Sequence, residues 1–316
     1  YAANRLYGIT FHARHDLCGF TPDSEVYEVR EANGSPLGAV ILDPFTRPTK
    51  RGGAWMTSIV DQSDLTGSLP VVTNTCNFSR PTEGASCLLT WDNVITMFHE
   101  FGHALHGLLS KVRYPSRSGT AVPRDFVEFP SQVNELWAWD ETLVSRFAIH
   151  HETGEPLPSE LIARLRSSKS AGEGHHTLEL VAAMLLDQAW HTTALEELPT
   201  SVDEVESFET AALERAGVAH ALVPPRYRSC YFSHIFGGGY AAAYYGYLWA
   251  EVLDADACAW FAENGGLCRK AGETFRHELL GRGGSIEPMQ AWHNFRRSDP
   301  DVSHLLSRKG LTVEQR

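Results

Sequence analysis

The chain has 316 residues, of which 43% are hydrophobic, and a formal net charge of −12 at pH 7. This composition is that of an ordinary globular protein, and the length fits one large domain or two smaller ones. The excess of negative charge argues against nucleic acid as a partner, because phosphates would be repelled. No apolar run reaches the length that a membrane span needs, so we expect no membrane as a partner.

The six cysteines form no C-x-x-C pair and no dense framework. They predict reduced, mostly buried thiols in a cytoplasmic protein. The chain begins at Tyr1 and shows no charged-then-apolar leader, so any targeting signal would lie before the sequence given.

The first part of the chain predicts a small sheet. Runs of aromatic and β-branched residues indicate strands, at residues 7–11, 25–29, 52–60 and 71–77. Asn33-Gly34, between two extended runs, is typical of a hairpin turn, so most of the pairing should be antiparallel. Gly52 and Gly53 would allow an extended peptide to approach the next strand closely, or would simply form the turn that enters it.

A helix is predicted from Thr90 to Leu109. Thr90 or Asp92 can cap its start, and Val94, Ile95, Phe98, Leu105 and Leu108 supply apolar positions for burial. Within it, H-E-F-G-H places His99 and His103 one turn apart on one face.

Two imidazoles at this spacing can bind one Zn²⁺ ion, and Glu100 then lies beside the metal without being forced to bind it. Glu100 could accept a proton from a zinc-bound water, which is the arrangement of a zinc hydrolase. The alternative is an amphipathic helix that carries two surface histidines.

After a loop at 111–124, the pattern becomes helical again from Phe126 to about His150, with Pro130 expected in the first turn. Six further helices are predicted, at residues 157–169, 175–197, 202–217, 240–264, 270–281 and 287–296. The expected fold class is therefore α+β and mainly α, with a small, mostly antiparallel sheet followed by many helices.

One zinc ligand is still missing from the H-E-F-G-H helix. The class with a third histidine after a glycine is excluded, because His106 and Leu109 occupy those two positions. A carboxylate from a second helix would complete the site, and the candidates are Asp125, Glu128 and Glu135. Glu128 and Glu135 are two turns apart on one face, so one could bind metal while the other orients a histidine, and spacing does not choose between them.

Three segments together resemble the thimet-oligopeptidase family of zinc metallopeptidases: F-H-E-F-G-H-A-L-H, D-F-V-E-F-P-S-Q and S-H-I-F-G-G-G-Y-A-A-A-Y-Y-G-Y. Within that family, G-G-A-W-M, P-R-D-F-V-E-F-P-S-Q and R-Y-R-S-C-Y-F-S-H-I-F-G-G-G-Y are most similar to the bacterial dipeptidyl carboxypeptidases. The similarity covers nearly the whole chain. It implies a zincin-like catalytic domain over residues 1–316, with one Zn²⁺ ion and Glu128 as its third ligand. Glu135 stays a candidate for orienting a ligand histidine, or an acid on a solvated helix face.

The segment around the triple glycine carries one histidine and several tyrosines. Tyr240, Tyr244 and Tyr247 follow helical spacing, which predicts three phenol groups along one helix face; the alternative is aromatic core packing. The resemblance implies that His234, Tyr240 and Tyr247 act as catalytic donors to the substrate or its oxyanion. It also implies that Tyr244 and Gly238 contact the substrate, the glycines forming a lid.

A peptidase that removes C-terminal dipeptides must bind a free carboxylate, and arginine does so with two parallel hydrogen bonds. Arg226 and Arg228 lie just before the histidine-tyrosine segment and are the candidates, although a surface salt bridge is the alternative for either.

The sequence therefore predicts a zinc peptidase that acts on short peptides and releases C-terminal dipeptides. Two alternatives stay open: an endo-acting oligopeptidase with the same chemistry, and a non-catalytic, zinc-stabilised module that binds peptides. Members of the resembled family are much longer and have an N-terminal helical half, so a separate chain that supplies this half is a candidate partner.

Overall fold

The computed structural model describes residues 1–82, 84–168 and 171–311. The chain divides into two units. The first, here called the sheet unit, comprises Tyr1–Pro158 and Ala250–Leu305. The second, here called the helical unit, comprises Ser159–Trp249 and Leu306–Arg316.

Five strands form one sheet in the sheet unit: β1 (Thr10–Ala13), β2 (Glu25–Arg30), β3 (Pro36–Phe45), β4 (Trp55–Val60) and β5 (Val71–Phe78). Their order is β1-β2-β3-β5-β4, and only the β3–β5 pair is parallel. The prediction of a small, mostly antiparallel sheet is confirmed. β4 lies at the edge of this sheet.

The first predicted strand was placed three residues too early. Ala2–Tyr7 form a short helix, α1, which ends at Gly8 in the left-handed conformation with φ of 75°. Leu6 and Tyr7 lie in this helix and are buried, so their side chains pack in the core from a helix and not from a strand. The sheet therefore begins only at Thr10.

Both predicted glycine turns of the sheet are present. Val29 and Gly38 are partners across the β2–β3 hairpin, and Gly34 in its turn has φ of 83°. Before β4, Gly53 has φ of 87°, and the amide of Asn77 donates a hydrogen bond of 2.7 Å to its carbonyl. The Gly52-Gly53 pair therefore forms the turn that enters the strand.

The predicted metal-binding helix is α2 (Trp91–Leu109). Thr90 is its N-cap: the Thr90 hydroxyl accepts from the Asn93 N–H, and the Asn93 side chain accepts from the Thr90 N–H. This reciprocal cap satisfies two N–H groups that the helix leaves unpaired. Asp92 lies in the first turn, where its negative charge interacts favourably with the helix dipole.

The next helix, α3 (Arg124–Glu135), begins earlier than predicted. Pro123 is its N-cap, so Pro130 lies inside the helix and not in its first turn. Proline has no N–H to donate to the carbonyl of Phe126, and the helix continues in spite of this lost bond. The prediction of one helix to residue 150 was also wrong, because a 3₁₀ turn (Leu136–Trp139) separates α3 from α4 (Glu141–Phe147).

α2 and α3 cross at a glycine. A methyl group built on Gly102 would lie 2.6 Å from the Cα atom of Ser131 and 2.9 Å from the Cβ atom of Asn134. No side chain therefore fits at position 102, and the two backbones are in direct contact. The Asn134 amide also donates a hydrogen bond of 2.7 Å to the carbonyl of Phe98, which fixes the crossing at a second point.

The remaining helices of the sheet unit are α9 (Gly246–Glu263), from Ala250 onward, α10 (Arg269–Glu278), α11 (Pro288–Arg296) and α12 (Val302–Arg308), as far as Leu305. The apolar faces of α9, α10 and α11 join α1, α2, α3 and the sheet in one core, whose largest fully buried side chains include Trp292, Phe129, Phe261 and Phe275. This core holds α2 against the sheet and holds α3 against α2.

The helical unit contains α5 (Ser159–Ser168), α6 (Glu173–Thr192), α7 (Val202–Arg215) and the short α8 (Ser233–Phe236). Leu180, Ala183 and Met184 of α6 pack against Phe232 and Ile235 on one side. On another side, Leu186 packs against Ala212 and Leu213 of α7.

The predicted helix at 240–264 begins only at Gly246. Residues 241–245 form turns, and Ala242 has φ of 53°, which no right-handed helix contains. Tyr240, Tyr244 and Tyr247 therefore do not lie on one helix face, and that prediction was wrong.

The cysteines are free, as predicted, but they are not mostly buried. Cys76 is buried, Cys258 and Cys268 are partly exposed, and Cys18, Cys87 and Cys230 are exposed. Among the residues that the structure describes, no helix combines the length and the hydrophobicity needed to cross a bilayer.

Candidate metal centre and active site

Two helices of the sheet unit bring three potential metal ligands together. The Nε2 atoms of His99 and His103, both on α2, lie 3.1 and 3.2 Å from Oε2 of Glu128 on α3. Glu128 is 5% exposed, and both histidines are partly buried. The i, i+4 spacing on one helix and the direct crossing of α2 with α3 together produce this cluster.

The geometry of the three atoms fits a zinc ion. Ligand atoms at 2.0–2.1 Å from a tetrahedral ion lie roughly 3.3 Å from one another, close to the two separations of 3.1 and 3.2 Å observed here. Two imidazole nitrogens and one carboxylate oxygen are also a donor set that zinc prefers, with a fourth position left for water or substrate.

Glu135 lies on the other side of the His99 ring. Its Oε1 atom is 2.8 Å from Nδ1 of His99, and its side chain is 30% exposed. A carboxylate at Nδ1 accepts the ring hydrogen there, so Nε2, on the Glu128 side of the ring, is the nitrogen that can bind a metal. The structure thus brings Glu128 and Glu135 to opposite nitrogens of one histidine.

The electrostatics of the cluster are those of a site built for a cation. Burial alone would lower the pKa of His99, but its hydrogen bonds to Glu128 and Glu135 outweigh burial and hold the pKa well above its usual value. Burial would raise the pKa of Glu128, but hydrogen bonds to His103 and His99 hold it well below its usual value. A buried, ionised carboxylate therefore faces two imidazoles.

Glu100 follows His99 directly and is 7% exposed. Its Oε2 atom is buried and accepts no hydrogen bond from any residue that the structure describes. Burial raises the pKa of Glu100, although the neighbouring His99 and His103 charges oppose this rise. An unpaired carboxylate oxygen of raised basicity beside a metal position can accept a proton from water.

A second group of possible ligands, His150, His151 and Glu152, is exposed. Nδ1 of His150 is the acceptor for the backbone N–H groups of Glu152 and Thr153, at 3.3 and 3.2 Å. The lone pair of Nδ1 is therefore occupied by the backbone and is not available to a metal. The cluster on α2 and α3 is therefore the better metal site.

Sequence reasoning passed over Gly102 and Asn134. They carry no chemistry, but they set the distance between α2 and α3 and hence the position of Glu128. The only signal was the small residue between the two histidines of H-E-F-G-H. A glycine inside a helix indicates a close approach of another backbone.

In the helical unit, the predicted aromatic residues cluster around His234. The ring centroids of Tyr240, Tyr244 and Tyr247 lie 6.3, 5.5 and 6.4 Å from that of His234, and Tyr227 lies at 4.8 Å. Tyr240 and Tyr247 stack on each other, with centroids 5.3 Å apart. The turn at residues 241–245, not a helix face, brings these rings together.

Gly238 lies close to the backbone of His234. A methyl group on it would be 2.9 Å from the His234 Cα atom, and its N–H donates to the carbonyl of Ser233 at 2.8 Å. Position 238 therefore requires glycine because the chain folds back on α8. This close contact leaves no room for any side chain.

Both candidate arginines lie in ion pairs within the helical unit. Arg226 Nη1 is 3.0 Å from Oε1 of the partly buried Glu179. Arg228 Nε is 2.5 Å from Oε2 of Glu209, which is 3% exposed and also accepts from the Ser229 N–H. A role for either arginine in binding a substrate carboxylate stays a prediction.

The α2 motif on a mainly helical fold with a small mixed sheet defines a zincin-like domain. The fold is similar to that of an M32 carboxypeptidase from Deinococcus radiodurans, with a TM-score of 0.56 at 17% sequence identity over 82% of this chain and 53% of that one. At this identity the likeness concerns the fold alone.

The sequence profile described as Peptidase family M3 matches residues 1–311. The chain is 44% identical to the dipeptidyl carboxypeptidase of Escherichia coli over 313 residues, which cover 99% of this chain and 46% of that protein. It is 40% identical to oligopeptidase A of Escherichia coli, over 97% of this chain and 45% of that protein. This chain belongs to peptidase family M3, and it spans about half the length of the curated relatives that it matches.

Proposed function

We propose that this chain is a zinc-dependent peptidase that hydrolyses short peptides by releasing C-terminal dipeptides. Peptidase family M3 is zinc-dependent in general. The observation that carries the proposal is the convergence of His99, His103 and Glu128, with a buried carboxylate oxygen of the adjoining Glu100 that has no hydrogen-bond partner among the described residues. The identity of 44% to a dipeptidyl carboxypeptidase supports this choice of reaction.

In this proposal His99, His103 and Glu128 hold one Zn²⁺ ion, and Glu135 keeps His99 in the tautomer that binds it. When bound, zinc polarises the scissile carbonyl and makes water nucleophilic at neutral pH. Glu100 accepts a proton from the attacking water and passes it to the leaving amine. The buried position of Glu100 keeps its carboxylate basic enough for the first transfer.

His234, Tyr240 and Tyr247 are the proposed catalytic donors to the oxyanion, and Tyr244 and Gly238 are proposed substrate contacts. Neutral hydroxyl or imidazole donors that lie where negative charge develops stabilise the transition state by roughly 2.7–4 kcal/mol each. The mutual packing of these rings around His234 supports a joint role. Arg226 or Arg228 is the proposed partner of the C-terminal carboxylate of the substrate.

The second candidate is an endo-acting oligopeptidase with the same chemistry. The identity of 40% to oligopeptidase A over nearly the whole chain favours it, because this value is close to the 44% identity to the dipeptidyl carboxypeptidase. A third possibility, a zinc-stabilised module that binds peptides without cleaving them, is favoured by the coverage of only 46% of the dipeptidyl carboxypeptidase.

We further propose that the described chain acts as one catalytic domain, with a separate chain as a candidate supplier of the remaining half. A cytoplasmic location is also part of the proposal, which the six free thiols support.

The test is mass spectrometry of the products that the zinc-loaded chain forms from two decapeptides of identical sequence, one with a free C-terminus and one amidated. The proposal expects a C-terminal dipeptide from the free acid alone, and no product when a chelator has removed the zinc. Internal cleavage of both peptides would replace the proposal by the endo-acting alternative. A protein that holds zinc and cleaves neither peptide would support the binding module.

A further inference from the structure

A fully buried carboxylate on α6 binds the turn that carries the tyrosines. Oδ1 and Oδ2 of Asp187 accept hydrogen bonds from the backbone N–H groups of Ala242 and Tyr244, each at 2.9 Å. Asp187 is 0% exposed. A buried carboxylate is costly unless its oxygens are hydrogen-bonded, so these contacts are necessary to keep it inside the protein.

The neighbouring residues on α6 complete the contact. The Gln188 amide donates to the carbonyl of Ala242 at 3.0 Å, so both polar groups of the Ala242 backbone are bound by consecutive side chains of one helix. One turn later, Nδ1 of His191 lies 2.8 Å from Oδ1 of Asp187 and 2.9 Å from its main-chain carbonyl. Both of these oxygens are acceptors, so Nδ1 carries the hydrogen and fixes the carboxylate.

The bound turn has a conformation that its own residue does not favour. Ala242 has φ of 53°, a left-handed conformation that costs energy for any residue with a Cβ atom. An alanine keeps this conformation only when its surroundings determine it. The hydrogen bonds that the turn donates to Asp187 and accepts from Gln188 are the contacts that do so here.

The Ala242 turn determines the arrangement of the aromatic rings. Tyr240 precedes it and Tyr247 follows it, yet their rings stack with centroids 5.3 Å apart. Tyr244, whose N–H is bound by Asp187, lies at 3% exposure against Phe232 and His234. A continuous helix through residue 242 would move Tyr240 away from this position.

We propose that Asp187, assisted by Gln188, is a positioning residue that holds the Ala242 turn and thereby sets His234, Tyr240 and Tyr247 in the geometry that stabilises the transition state. This inference rests on the proposed function of those three donors. Asp187 itself contacts neither substrate nor metal in this account. Its effect on the reaction should therefore appear in kcat and kcat/KM together, with little change in KM.

The first test compares Asp187→Asn with the wild-type chain. The amide keeps the size of the side chain but turns one acceptor into a donor that faces a backbone N–H. We expect kcat to fall roughly 10- to 100-fold, as for other misplaced catalytic groups, with full zinc content. The matched control is Asp203→Asn, an exposed aspartate at the start of α7 in the same unit, which should leave kcat unchanged.

A second comparison separates positioning from a general structural role. Glycine adopts positive φ without strain, so the Ala242→Gly background should need less help from Asp187. We expect Asp187→Asn to reduce kcat several-fold less in that background than in the wild-type chain. An equal loss in both backgrounds would overturn the proposal. If Asp187→Asn does not fold, Gln188→Met replaces it, with a smaller loss expected in the same direction.

Hydrogen–deuterium exchange gives a readout that does not depend on activity. In Asp187→Asn the amides of Ala242 and Tyr244 should exchange faster than in the wild-type chain, while α7 is unchanged. Unchanged exchange at residues 240–246 would overturn the proposal, as would faster exchange with undiminished kcat. If the wild-type chain cleaves no peptide, the proposed function fails, and the exchange result alone still decides whether Asp187 holds the turn.

Discussion

Oε1 of Glu135 lies 2.8 Å from Nδ1 of His99, while Nε2 of the same ring faces Glu128 at 3.1 Å. One histidine is thus held between two carboxylates that lie two turns apart on α3. The carboxylate at Nδ1 fixes the tautomer and orientation, and the carboxylate at Nε2 shares the metal position. This division of roles between two otherwise equivalent residues leads to the first prediction.

Glu135→Gln should weaken zinc binding by about 10- to 100-fold, because a neutral amide holds the His99 ring less firmly and makes it less basic. Competition with a chromophoric chelator measures the change. Asp125→Asn, on the same helix and also once a candidate ligand, is the matched control and should leave zinc affinity unchanged. Loss of zinc in the Asp125 variant and not in the Glu135 variant would reverse the assignment.

Gly102→Ala should destabilise the protein and weaken zinc binding, because the new methyl group would lie 2.6 Å from the Cα atom of Ser131. Backbone cannot move aside as a flexible side chain does, so α3 must shift and carry Glu128 with it. Overpacking of this kind costs about 1–3 kcal/mol of unfolding free energy. Urea unfolding and chelator competition measure the two effects.

The control for that variant is Gly174→Ala on α6, where a methyl group would meet nothing within 4 Å. Because alanine favours a helix more than glycine does, it should stabilise the chain by up to about 1 kcal/mol. If both glycine variants behaved alike, the close crossing of α2 and α3 would not control the metal site.

Because of the buried His106, the protein should lose stability in acid. The His106 ring is buried, and neither nitrogen has a hydrogen-bond partner among the described residues; burial, with the nearby His103 charge, lowers its pKa from 6.5 to about 3. Between these two pH values His106 is protonated in the unfolded chain and neutral in the folded chain. The unfolding free energy should therefore decrease as pH falls from 6.5, by up to about 1.4 kcal/mol per pH unit from this group.

Urea unfolding of the metal-free chain at several pH values between 7 and 4 tests this, with His106→Leu as the comparison. The variant should lose less stability on acidification than the wild-type chain, because it lacks the buried group that must be protonated. Equal losses in both proteins would show that His106 is accessible to protons in the folded state.

The sequence could predict α2 and its chemistry because the evidence is local. Helical geometry places His99 and His103 on one face. Threonine is a common N-cap residue, and Thr90 caps the helix. It could not distinguish Glu128 from Glu135 by spacing, because residues seven apart share one face of α3. The crossing at Gly102, which sets both against His99, is a tertiary contact.

The structure of the tyrosine segment also depends on a contact between residues far apart in the chain. Tyr240, Tyr244 and Tyr247 fit a helical period, and alanines favour a helix, so the local pattern indicated one. The structure has a turn there because Asp187, 55 residues earlier, binds the backbone of Ala242 and Tyr244. Similarly, Pro130 by itself predicts the start of a helix, but Pro123 already occupies the N-cap.

The most direct test of the central claim is the peptidase activity of Glu100→Gln, measured together with its zinc content. Glutamine keeps the size of the side chain but cannot accept the proton from water, so the account predicts full zinc occupancy and a loss of hydrolysis on the order of 10²–10⁴-fold. A Glu100→Gln chain that keeps its zinc and hydrolyses peptides at nearly the wild-type rate would contradict the account.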